Sequence, residues 1–487
     1  MFITGKTVLK FIVIVIGVLL ALVLLLAAYV LVDFSAEQEP PSDSVNLVND
    51  ITRLNPIEVA KVIAPQSIAD IQHAIRTTEG KISIGGGRYS QGGQIALEDH
   101  LHLDMRNFDN VVSFDPVAKE ITVQSGMRWR AIQEVIDPAG LSIKIMQSYA
   151  NFTVGGSLSV NVHGRYIGEG PIIRSVKSIT VVLADGSIVR ASPDENADVF
   201  FGVIGGYGGL GVIAEATLEL VPNVKVGRET DYMAIEHYAA FFEQNVRNHP
   251  SVVFHNATIY PPDFTHVNSV SWVQTEKPLT VHEKLVPRDR EYWWQPRVAK
   301  FVADSNFGKW MRQHIFEPFK HASDPVQWRN YEASYDVREL EPKSRADQTY
   351  ALREYFVPVE RFDSFSAKMT DIFKAHDVNV LNVSVRHALP DSGSLLAWAR
   401  EEVFAFVVYY RQGTTAQDRE HVKAWSREMI DAAISEGGSY YLPYQLHATT
   451  EQFHSAYPRA EEFFALKKKL DPTHRFSNKL WEQHYQQ

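Results

Sequence analysis

The sequence contains no cysteine among its 487 residues. This absence excludes disulfides, thiolate zinc sites, cysteine nucleophiles and a cysteinyl link to a cofactor, and it leaves the redox compartment open. An excess of positive charge is also lacking, because the formal net charge is -10. Phosphate binding needs a basic face, so a nucleic-acid partner is excluded. The chain is long enough for two or three domains.

Long hydrophobic runs are also scarce, and the one that is present lies at the amino terminus. The stretch from Phe11 to Val32 holds 22 residues without a charge, enough for a helix to span a bilayer core of about 30 Å. A cleaved signal peptide has a shorter apolar region, so the run favours an uncleaved single-pass anchor. Lysines precede the run and acidic residues follow it. The positive-inside rule therefore predicts that the large domain lies on the non-cytoplasmic side.

The rest of the chain divides by composition. Residues 1–34 form the predicted membrane anchor, and the polar, proline-bearing residues 35–55 are typical of a linker. Residues 56–222 contain short β-rich runs that alternate with helical patterns. Residues 223–455 are richer in long aromatic segments and carry further strand patterns, and residues 456–487 form a separate tail. The change in texture after residue 222 is the predicted domain boundary.

Three glycine-rich stretches interrupt the first of these domains: GGGRYSQGG at 85–93, FTVGGSLSVNVHGR at 152–165 and GGYGGLG at 205–211. Glycine lets backbone N–H groups approach an anion closely, so the first stretch fits either a pyrophosphate loop or a plain tight turn. Gly206 to Gly211 match the pattern G-x-G-x-x-G. A helical pattern precedes this match and a strand pattern follows it, whereas a dinucleotide fingerprint needs the reverse order. The Rossmann interpretation is therefore rejected.

In this order the three stretches resemble the flavin domain of the vanillyl-alcohol oxidase superfamily, whose members bind FAD without a Rossmann fold. The aldonolactone/alditol oxidase and decaprenylphosphoryl-ribose oxidase branch extends the resemblance through ALREYFVP and LNVSVRH to RFSNKLW in the tail. The resemblance implies an α+β fold with a two-subdomain PCMH-type FAD-binding domain over residues 56–222. It also implies an α+β cap domain with an antiparallel sheet over 223–455, and a carboxyl-terminal helix that returns to the flavin.

The resemblance also implies which residues hold the FAD. Glycine amides of the first loop would solvate the diphosphate, Arg88 would add a charge-assisted contact, and Tyr89 would pack on the ribityl chain or the ring system. The implied cofactor-binding residues are Gly85, Gly86, Gly87, Arg88, Tyr89, Ser90, Ser148, Thr153, Gly155, Gly156, Ser159, His163, Gly164, Ile213 and Asn478. No histidine lies between residues 74 and 99 and cysteine is absent, so both usual tethers are missing. The FAD is expected to be bound non-covalently.

The cap domain is expected to supply the catalytic groups. Relatives carry a glutamate-x-arginine pair on one cap strand; here Arg386 is present, but Ser384 stands where the acid would be. Relatives also carry a lysine before the final helix, where this chain offers Tyr444, with Gln445 and His447 nearby. We expect Tyr444, Arg386 and His447 to be catalytic, with Arg386 lowering the pKa of the phenol. A salt bridge for Arg386 and an exposed loop position for His447 are the structural alternatives. No metal site is predicted.

The predicted function is FAD-dependent oxidation of a CH–OH group by hydride transfer to the flavin. The implied substrate is a sugar, an aldonolactone, a polyol or a lipid-linked sugar, and the electron acceptor is oxygen or a quinone. One alternative is a flavoenzyme that acts on a carbon–carbon bond of a lipid. Another is a flavin-bearing electron-transfer partner without a substrate of its own. An occupied pocket above the flavin would favour the enzyme hypotheses.

Overall fold

The computed structural model describes residues 45–292, 295–340, 342 and 344–485. The predicted anchor and the first part of its linker lie outside these residues. Within the described ranges, no helix combines the length and the apolar character needed to cross a membrane. The described chain combines helices with antiparallel sheets. The predicted mixture of helices and antiparallel strands is therefore confirmed.

A small parallel sheet carries the first glycine-rich loop. Its strands are β3 (Lys61–Ile63), β4 (Ile82–Gly85) and β5 (Leu101–Asp104), and they are preceded by the paired strands β1 (Leu47–Val48) and β2 (Ile57–Glu58). Strand β5 lies in the middle, parallel to both neighbours. Helix α1 (Ile68–Thr77) begins at a capping box formed by Ser67 and Asp70, which satisfies its first free N–H groups.

A six-stranded antiparallel sheet follows. Its strands are β6 (Val111–Asp115), β7 (Glu120–Gln124), β8 (Leu141–Ile143), β9 (Val176–Val182), β10 (Ile188–Ala191) and β11 (Val212–Pro222), with helices α2 (Trp129–Ile136), α3 (Val154–Ser159) and α4 (Ala197–Val203). The order is β10, β9, β11, β7, β6, and β8 pairs with β11. The third glycine stretch lies between α4 and β11, so a helix precedes it and a strand follows it. This order confirms that the stretch is not a Rossmann fingerprint.

The second half of the chain forms an eight-stranded antiparallel sheet. Its strands are β12 (Lys225–Ala234), β13 (Val252–Ile259), β14 (His266–Gln274), β15 (Val326–Trp328), β16 (Gln348–Pro358), β17 (Val380–Ala388), β18 (Val403–Gly413) and β19 (Ser439–Tyr440). The order is β15, β12, β14, β13, β17, β18, β16, β19. The strands predicted in TYALREYFVPV, NVLNVSVRHAL and EVFAFVVYYR are therefore confirmed as β16, β17 and β18.

The two faces of this sheet differ in character. Helices α5 (Tyr238–Asn245), α9 (Arg329–Glu332), α10 (Phe362–Ala375) and α11 (Ala416–Ser435) belong to this half. Helices α10 and α11 cover one face, where Phe362 and Phe365 meet Phe406 and Trp425 packs against Tyr410. Since side chains alternate along a strand, Val407 points to the opposite face. On that face Val407 pairs with Glu354 of β16 and with Ser384 of β17.

One helical segment packs near the strands of that opposite face. It consists of α6 (Gln295–Asp304), α7 (Asn306–Met311), a π-helical turn (Arg312–Phe316) and α8 (Glu317–Lys320). Arg312 holds it to β17 by donating to the Leu381 carbonyl oxygen at 2.6 Å and to Asn382 Oδ1 at 2.7 Å. The segment is therefore fixed to the sheet beside Ser384.

The carboxyl end returns to the first domain. It contains α12 (Thr450–Ala456), α13 (Ala460–Leu470) and α14 (Lys479–His484). Phe476 bridges to Ile82 of β4, directly before the first glycine loop. The fully buried Lys467 ammonium pairs with Asp471 at 3.1 Å and donates to the carbonyl oxygens of Gly209 and Phe476. This buried cation joins the tail to the third glycine stretch.

Candidate active site

The structure brings the first two glycine stretches into contact. The Gly87 N–H donates to Thr153 Oγ1 at 3.1 Å, at the residue before α3. A Cβ atom on Gly86 would lie 2.4 Å from the same hydroxyl oxygen. A side chain at Gly86 would therefore push the loop after β4 away from the start of α3. Glycine at position 86 therefore leaves room for the Thr153 side chain against the loop.

Several buried polar atoms near these stretches lack a partner within the described chain. Gly155 N–H donates to the Ser125 carbonyl oxygen at 2.7 Å, and a Cβ on Gly155 would lie 2.7 Å from Ser125 Cβ. The hydroxyl oxygens of Ser125 and Ser148 are buried, and neither has a hydrogen bond to another described residue. Buried polar groups are normally satisfied, so a ligand with hydrogen-bonding atoms fits this region. These groups suit a flavin cofactor.

Arg88 and Tyr89 are held by protein groups. Arg88 Nη2 donates to Asp104 Oδ2 at 3.0 Å, and Arg106 binds the same carboxylate. The Asp104 carboxylate is thus shared by two guanidinium groups, and Arg88 Nε is buried without a hydrogen bond to any described residue. The Tyr89 ring lies 4.3 Å from the Phe152 ring, centroid to centroid. Each residue is thus positioned by the loop around it, and the next residue, Ser90, lies half-buried.

His102 is a residue of this region that the sequence argument missed. A Cβ on Gly85 would lie 2.8 Å from its Nε2, which is buried and has no hydrogen bond within the described residues. Its Nδ1 lies 3.1 Å from Ser83 Oγ. Burial lowers the pKa of His102 to about 4, so the ring is neutral near pH 7. The alternation HLHLD at residues 100–104 predicts a strand that contains His102. Only the parallel pairing of β4 with β5 puts the His102 ring against Gly85 of the loop.

A buried cluster joins the second glycine stretch to the eight-stranded sheet. His163 Nε2 lies 2.5 Å from Glu354 Oε1, and Tyr444 donates its hydroxyl proton to Glu354 Oε2 at 3.1 Å. The side chains of His163 and Glu354 are each 3% exposed, so this contact is almost completely removed from water. The rings of Trp398 and Phe356 flank His163. Glu354 is therefore the centre of the cluster.

The hydrogen bonds of His163 require a proton between the imidazole and the carboxylate. Nδ1 lies 3.1 Å from the Gly164 carbonyl oxygen, which can only accept, so Nδ1 carries a hydrogen atom. Nε2 and an ionised carboxylate oxygen are both acceptors. A separation of 2.5 Å is therefore attractive only if one proton lies between them. The pair can hold a proton out of contact with water.

Glu354 lies level with Ser384, the position on β17 where the resemblance places an acid. Glu354, Val407 and Ser384 are aligned across β16, β18 and β17, and Arg386 lies two residues further along β17 on the same face. Burial lowers the pKa of Arg386, while the Glu354 carboxylate opposes that shift. Arg386 Nε is buried with no hydrogen bond to any described residue. The signal for Glu354 was a single acid within the apolar strand REYFVP, but its partners lie far away in sequence.

Tyr444 lies in the cluster, and Arg386 does lower the pKa of its phenol, but the net shift of that pKa is upward. Burial raises the pKa of the Tyr444 phenol well above its usual value, and the Glu354 carboxylate raises it further. Arg386 lowers that pKa, but by less than these two causes raise it. Tyr444 is therefore protonated near neutral pH. Its hydroxyl group donates a hydrogen bond to Glu354.

His447 is not brought to this cluster. Its Nδ1 accepts from Arg353 Nη2 at 2.5 Å, and its carbonyl oxygen accepts from Arg427 of α11 at 2.7 Å. Arg353 precedes Glu354 on β16, so the two side chains leave opposite faces of the strand. Gln445 also bonds on this side, to Tyr410 and Gln412. Burial and Arg353 lower the pKa of His447, so it is a neutral acceptor that fixes the loop.

The remaining implied FAD contacts have structural partners. Asn478 caps α14 by accepting from Leu480 N–H at 3.0 Å and donates to the Tyr207 carbonyl oxygen at 2.8 Å. Tyr207 N–H in turn donates to the Ser159 carbonyl oxygen. Ile213 is buried in β11, while Gly156 and Gly164 lie at α3 and beside Met146. Asn478 thus joins the tail to the second and third glycine stretches. No group of three His, Asp or Glu suited to a metal ion occurs in the described part of the chain.

Comparison with known proteins identifies an FAD-binding domain in this chain. The FAD binding domain family matches residues 59–192. The chain is similar to L-gulonolactone oxidase of Mus musculus, with 22% identity over 86% of this chain and 93% of the relative. It is also similar to cytokinin dehydrogenase 5 of Arabidopsis thaliana, with 24% identity over 89% and 86% of the two chains. Alditol oxidase of a Streptomyces species is 34% identical over 23% of this chain and 27% of the relative. The predicted FAD cofactor and the predicted class of FAD-dependent oxidoreductase are confirmed.

Proposed function

Because the chain belongs to the vanillyl-alcohol oxidase superfamily of FAD-binding proteins, we propose that it oxidises a CH–OH group of a sugar, aldonolactone, polyol or lipid-linked sugar. The relatives named as lactone and alditol oxidases support this choice of reaction. The observation that carries the proposal is the buried cluster of Glu354, His163 and Tyr444. It joins the FAD domain to the polar face of the cap sheet.

The FAD would lie along the glycine stretches. The residues that would hold it are the backbone around Gly86 and Gly155 and the hydroxyl groups of Ser125 and Ser148, because these groups are tightly packed or lack a partner in the described chain. When bound, the flavin supplies a hydride acceptor. We propose that it is bound without a covalent link, because no cysteine is present and the first loop holds no histidine.

The cluster would accept the proton of the substrate hydroxyl. Glu354 accepts from Tyr444 and shares a proton with His163, so a proton that arrives at the phenol oxygen can move on to the carboxylate. Arg386 would orient the substrate oxygen, because its buried Nε has no hydrogen bond within the described residues. The paired Glu354 and His163 would therefore form the base, and Tyr444 would relay the proton.

The electron acceptor and the location are further parts of the proposal. Relatives named as oxidases favour oxygen over a quinone. The uncharged run from Phe11 to Val32 supports a single-pass anchor with the catalytic domain outside the cytoplasm. A flavoenzyme for lipid carbon–carbon bonds is less well supported, because the buried cluster offers a proton acceptor suited to a hydroxyl group.

Anaerobic flavin bleaching tests the reaction. The purified protein is mixed without oxygen with sugars, aldonolactones, polyols and polyprenyl-linked sugars, and loss of the flavin absorbance band is followed. Bleaching by at least one CH–OH compound is expected, followed by recovery of the band when oxygen is admitted. The proposal would be contradicted if the protein contains FAD but none of these compounds bleaches it. Bleaching by a partner reductase alone would favour an electron-transfer role.

A further inference from the structure

The helical segment 306–320 exposes an unusual amount of apolar surface. Phe307 is 60% exposed, Trp310 48%, Ile315 48% and Phe319 85%. Their spacing of three to five residues puts them on one side of the continuous helical run from Asn306 to Lys320. Every exposed phenylalanine or tryptophan in the described part of the chain lies on this apolar face. Surface helices normally show polar residues to water, so this face has the character of a contact surface.

The charge of the segment contrasts with that of the whole chain. Residues 295–320 contain five basic and two acidic residues, a net charge of +3, whereas the chain carries -10. Lys320 and His314 are exposed beside the apolar face. Aromatic side chains combined with basic residues are typical of helices that lie in the interface of an anionic bilayer. A partner protein selected by charge alone would not need three large exposed aromatic rings.

The apolar face is presented by a rigid support. Arg312 bonds to β17 at Leu381 and Asn382, and its guanidinium lies 5.8 Å from the centroid of the Tyr260 ring. Gln313 donates to the Tyr232 hydroxyl of β12 at 2.9 Å. A Cβ on Gly308 would lie 2.2 Å from the Phe301 carbonyl oxygen, so α7 packs tightly on α6. The segment is therefore anchored to the sheet on its inner side.

We propose that the apolar face of residues 306–320 inserts into the headgroup region of an anionic lipid bilayer. The amino-terminal run is the reason for choosing a bilayer as the partner of this face. A helix over Phe11 to Val32 would leave only residues 33–44 between the membrane and the described domain. Twelve residues span at most about 40 Å, so the folded domain stays close to the bilayer surface. Four exposed apolar side chains and the exposed Lys320 ammonium then gain from contact with anionic lipid.

Docking of this face would bring the site to the membrane. Asn382, which binds Arg312, lies four residues before Arg386 on β17 and on the same face of the sheet, a distance of about 13 Å along the strand. A substrate with a lipid tail could keep the tail in the bilayer while its head reaches the cluster. This consequence rests on the proposed function and favours a lipid-linked substrate; the docking surface does not depend on it.

Single-cysteine labelling of the full chain tests the docking surface, because the chain has no cysteine of its own. Phe319→Cys reports on the apolar face. Val117→Cys, at a position that is 91% exposed in the turn between β6 and β7, is the matched control. Each variant is placed in nanodiscs that hold one protein, with or without phosphatidylglycerol, and modified with a water-soluble maleimide. We expect the Phe319→Cys variant to react several-fold more slowly than the control in discs with phosphatidylglycerol, and serine at Phe307, Trp310 and Ile315 to abolish that protection.

Two results would overturn the docking proposal. Equal reaction rates of the Phe319→Cys and Val117→Cys variants in phosphatidylglycerol discs would show that the face stays in water. Protection of the Phe319→Cys thiol from the maleimide only in concentrated detergent solution, and its loss on dilution, would show that the face binds a second copy of the chain. Flavin bleaching by a soluble CH–OH compound is measured on the same samples. Bleaching without protection rejects only the docking surface, and protection without bleaching by any tested compound rejects only the proposed function.

Discussion

A buried carboxylate, bonded to an imidazole and to a phenol, is the residue-scale feature with the clearest chemical consequence. Glu354 is almost fully removed from water, and an isolated charge there would be costly. The proton shared with His163 and the hydrogen bond from Tyr444 reduce that cost. Because the pKa of Tyr444 is raised, the phenol stays protonated through the neutral range and does not titrate there. Tyr444 therefore contributes to the cluster as a hydrogen-bond donor to Glu354.

Replacing Glu354 tests this assignment. Glu354→Gln keeps the size of the side chain but replaces the carboxylate with an amide that cannot take up a proton. We expect flavin reduction by substrate to slow by roughly 10²- to 10⁴-fold, the usual range for a lost proton-transfer group, while FAD remains bound. Stopped-flow absorbance under anaerobic conditions gives the rate, and the flavin-to-protein absorbance ratio gives the occupancy.

Glu402→Gln is the matched control for this measurement. Glu402 also pairs with a histidine, His387, at 2.6 Å, but His387 leaves the sheet on the face covered by helices. The control should therefore reduce its flavin at a rate close to that of the parent protein. Equal slowing in both variants would mean that the loss comes from damage to the cap sheet, and the role of Glu354 would be rejected.

At the scale of elements, the loop after β4 depends on contact with the start of α3. Gly86→Ala adds a Cβ that would lie 2.4 Å from Thr153 Oγ1, closer than packed atoms allow. We expect the loop to shift and the purified protein to lose most of its FAD, measured as the flavin-to-protein absorbance ratio. At Gly227 of β12 the nearest atom to an added Cβ lies at 3.5 Å, so Gly227→Ala should keep its flavin. Full occupancy in Gly86→Ala would exclude the loop as the FAD cradle.

The tail is a second element whose position depends on one contact. Lys467→Ala would leave the buried Asp471 carboxylate without its cation, and breaking such a pair costs about 3–5 kcal/mol of folding stability. Lys469 on the same helix pairs with Asp198 at the surface, with 68% and 50% of the two side chains exposed. Lys469→Ala should change the stability by less than about 1 kcal/mol. Denaturant unfolding followed by tryptophan fluorescence compares the two, and equal midpoints would contradict the structural role of Lys467.

At the scale of the whole molecule, two membrane contacts of different strength are expected. Removal of residues 1–34 should remove the predicted anchor and give a yellow, folded protein that still binds vesicles containing phosphatidylglycerol at low salt. High salt screens the charge attraction and should release it, since the Debye length falls to about 3 Å at 1 M. Vesicle flotation with flavin absorbance measures both states. A truncated protein that resists the high-salt wash would require another integral attachment, and one that never binds would count against the docking face.

The sequence by itself determined the features that depend on short-range pattern. The glycine stretches, the strands β16 to β18 and the order of helix and strand around Gly206 to Gly211 are local, and they were sufficient to identify an FAD domain. The amino-terminal run lies outside the described residues, so its role remains a prediction. Tyr444 and Arg386 were selected by resemblance, and the structure puts both near Glu354.

Only the tertiary structure decided which residues meet. His163 and Glu354 are 191 residues apart, and strand register alone puts Glu354 in line with Ser384, so a local pattern could not reveal that a carboxylate of β16 lies beside this position. Strand alternation likewise sends Arg353 to the face of β16 opposite Glu354, and His447 bonds to Arg353 there, although His447 is only three residues from Tyr444. The physical reason is that a strand sends adjacent side chains to opposite faces. Which face meets the flavin domain is set by packing between segments that are distant in sequence.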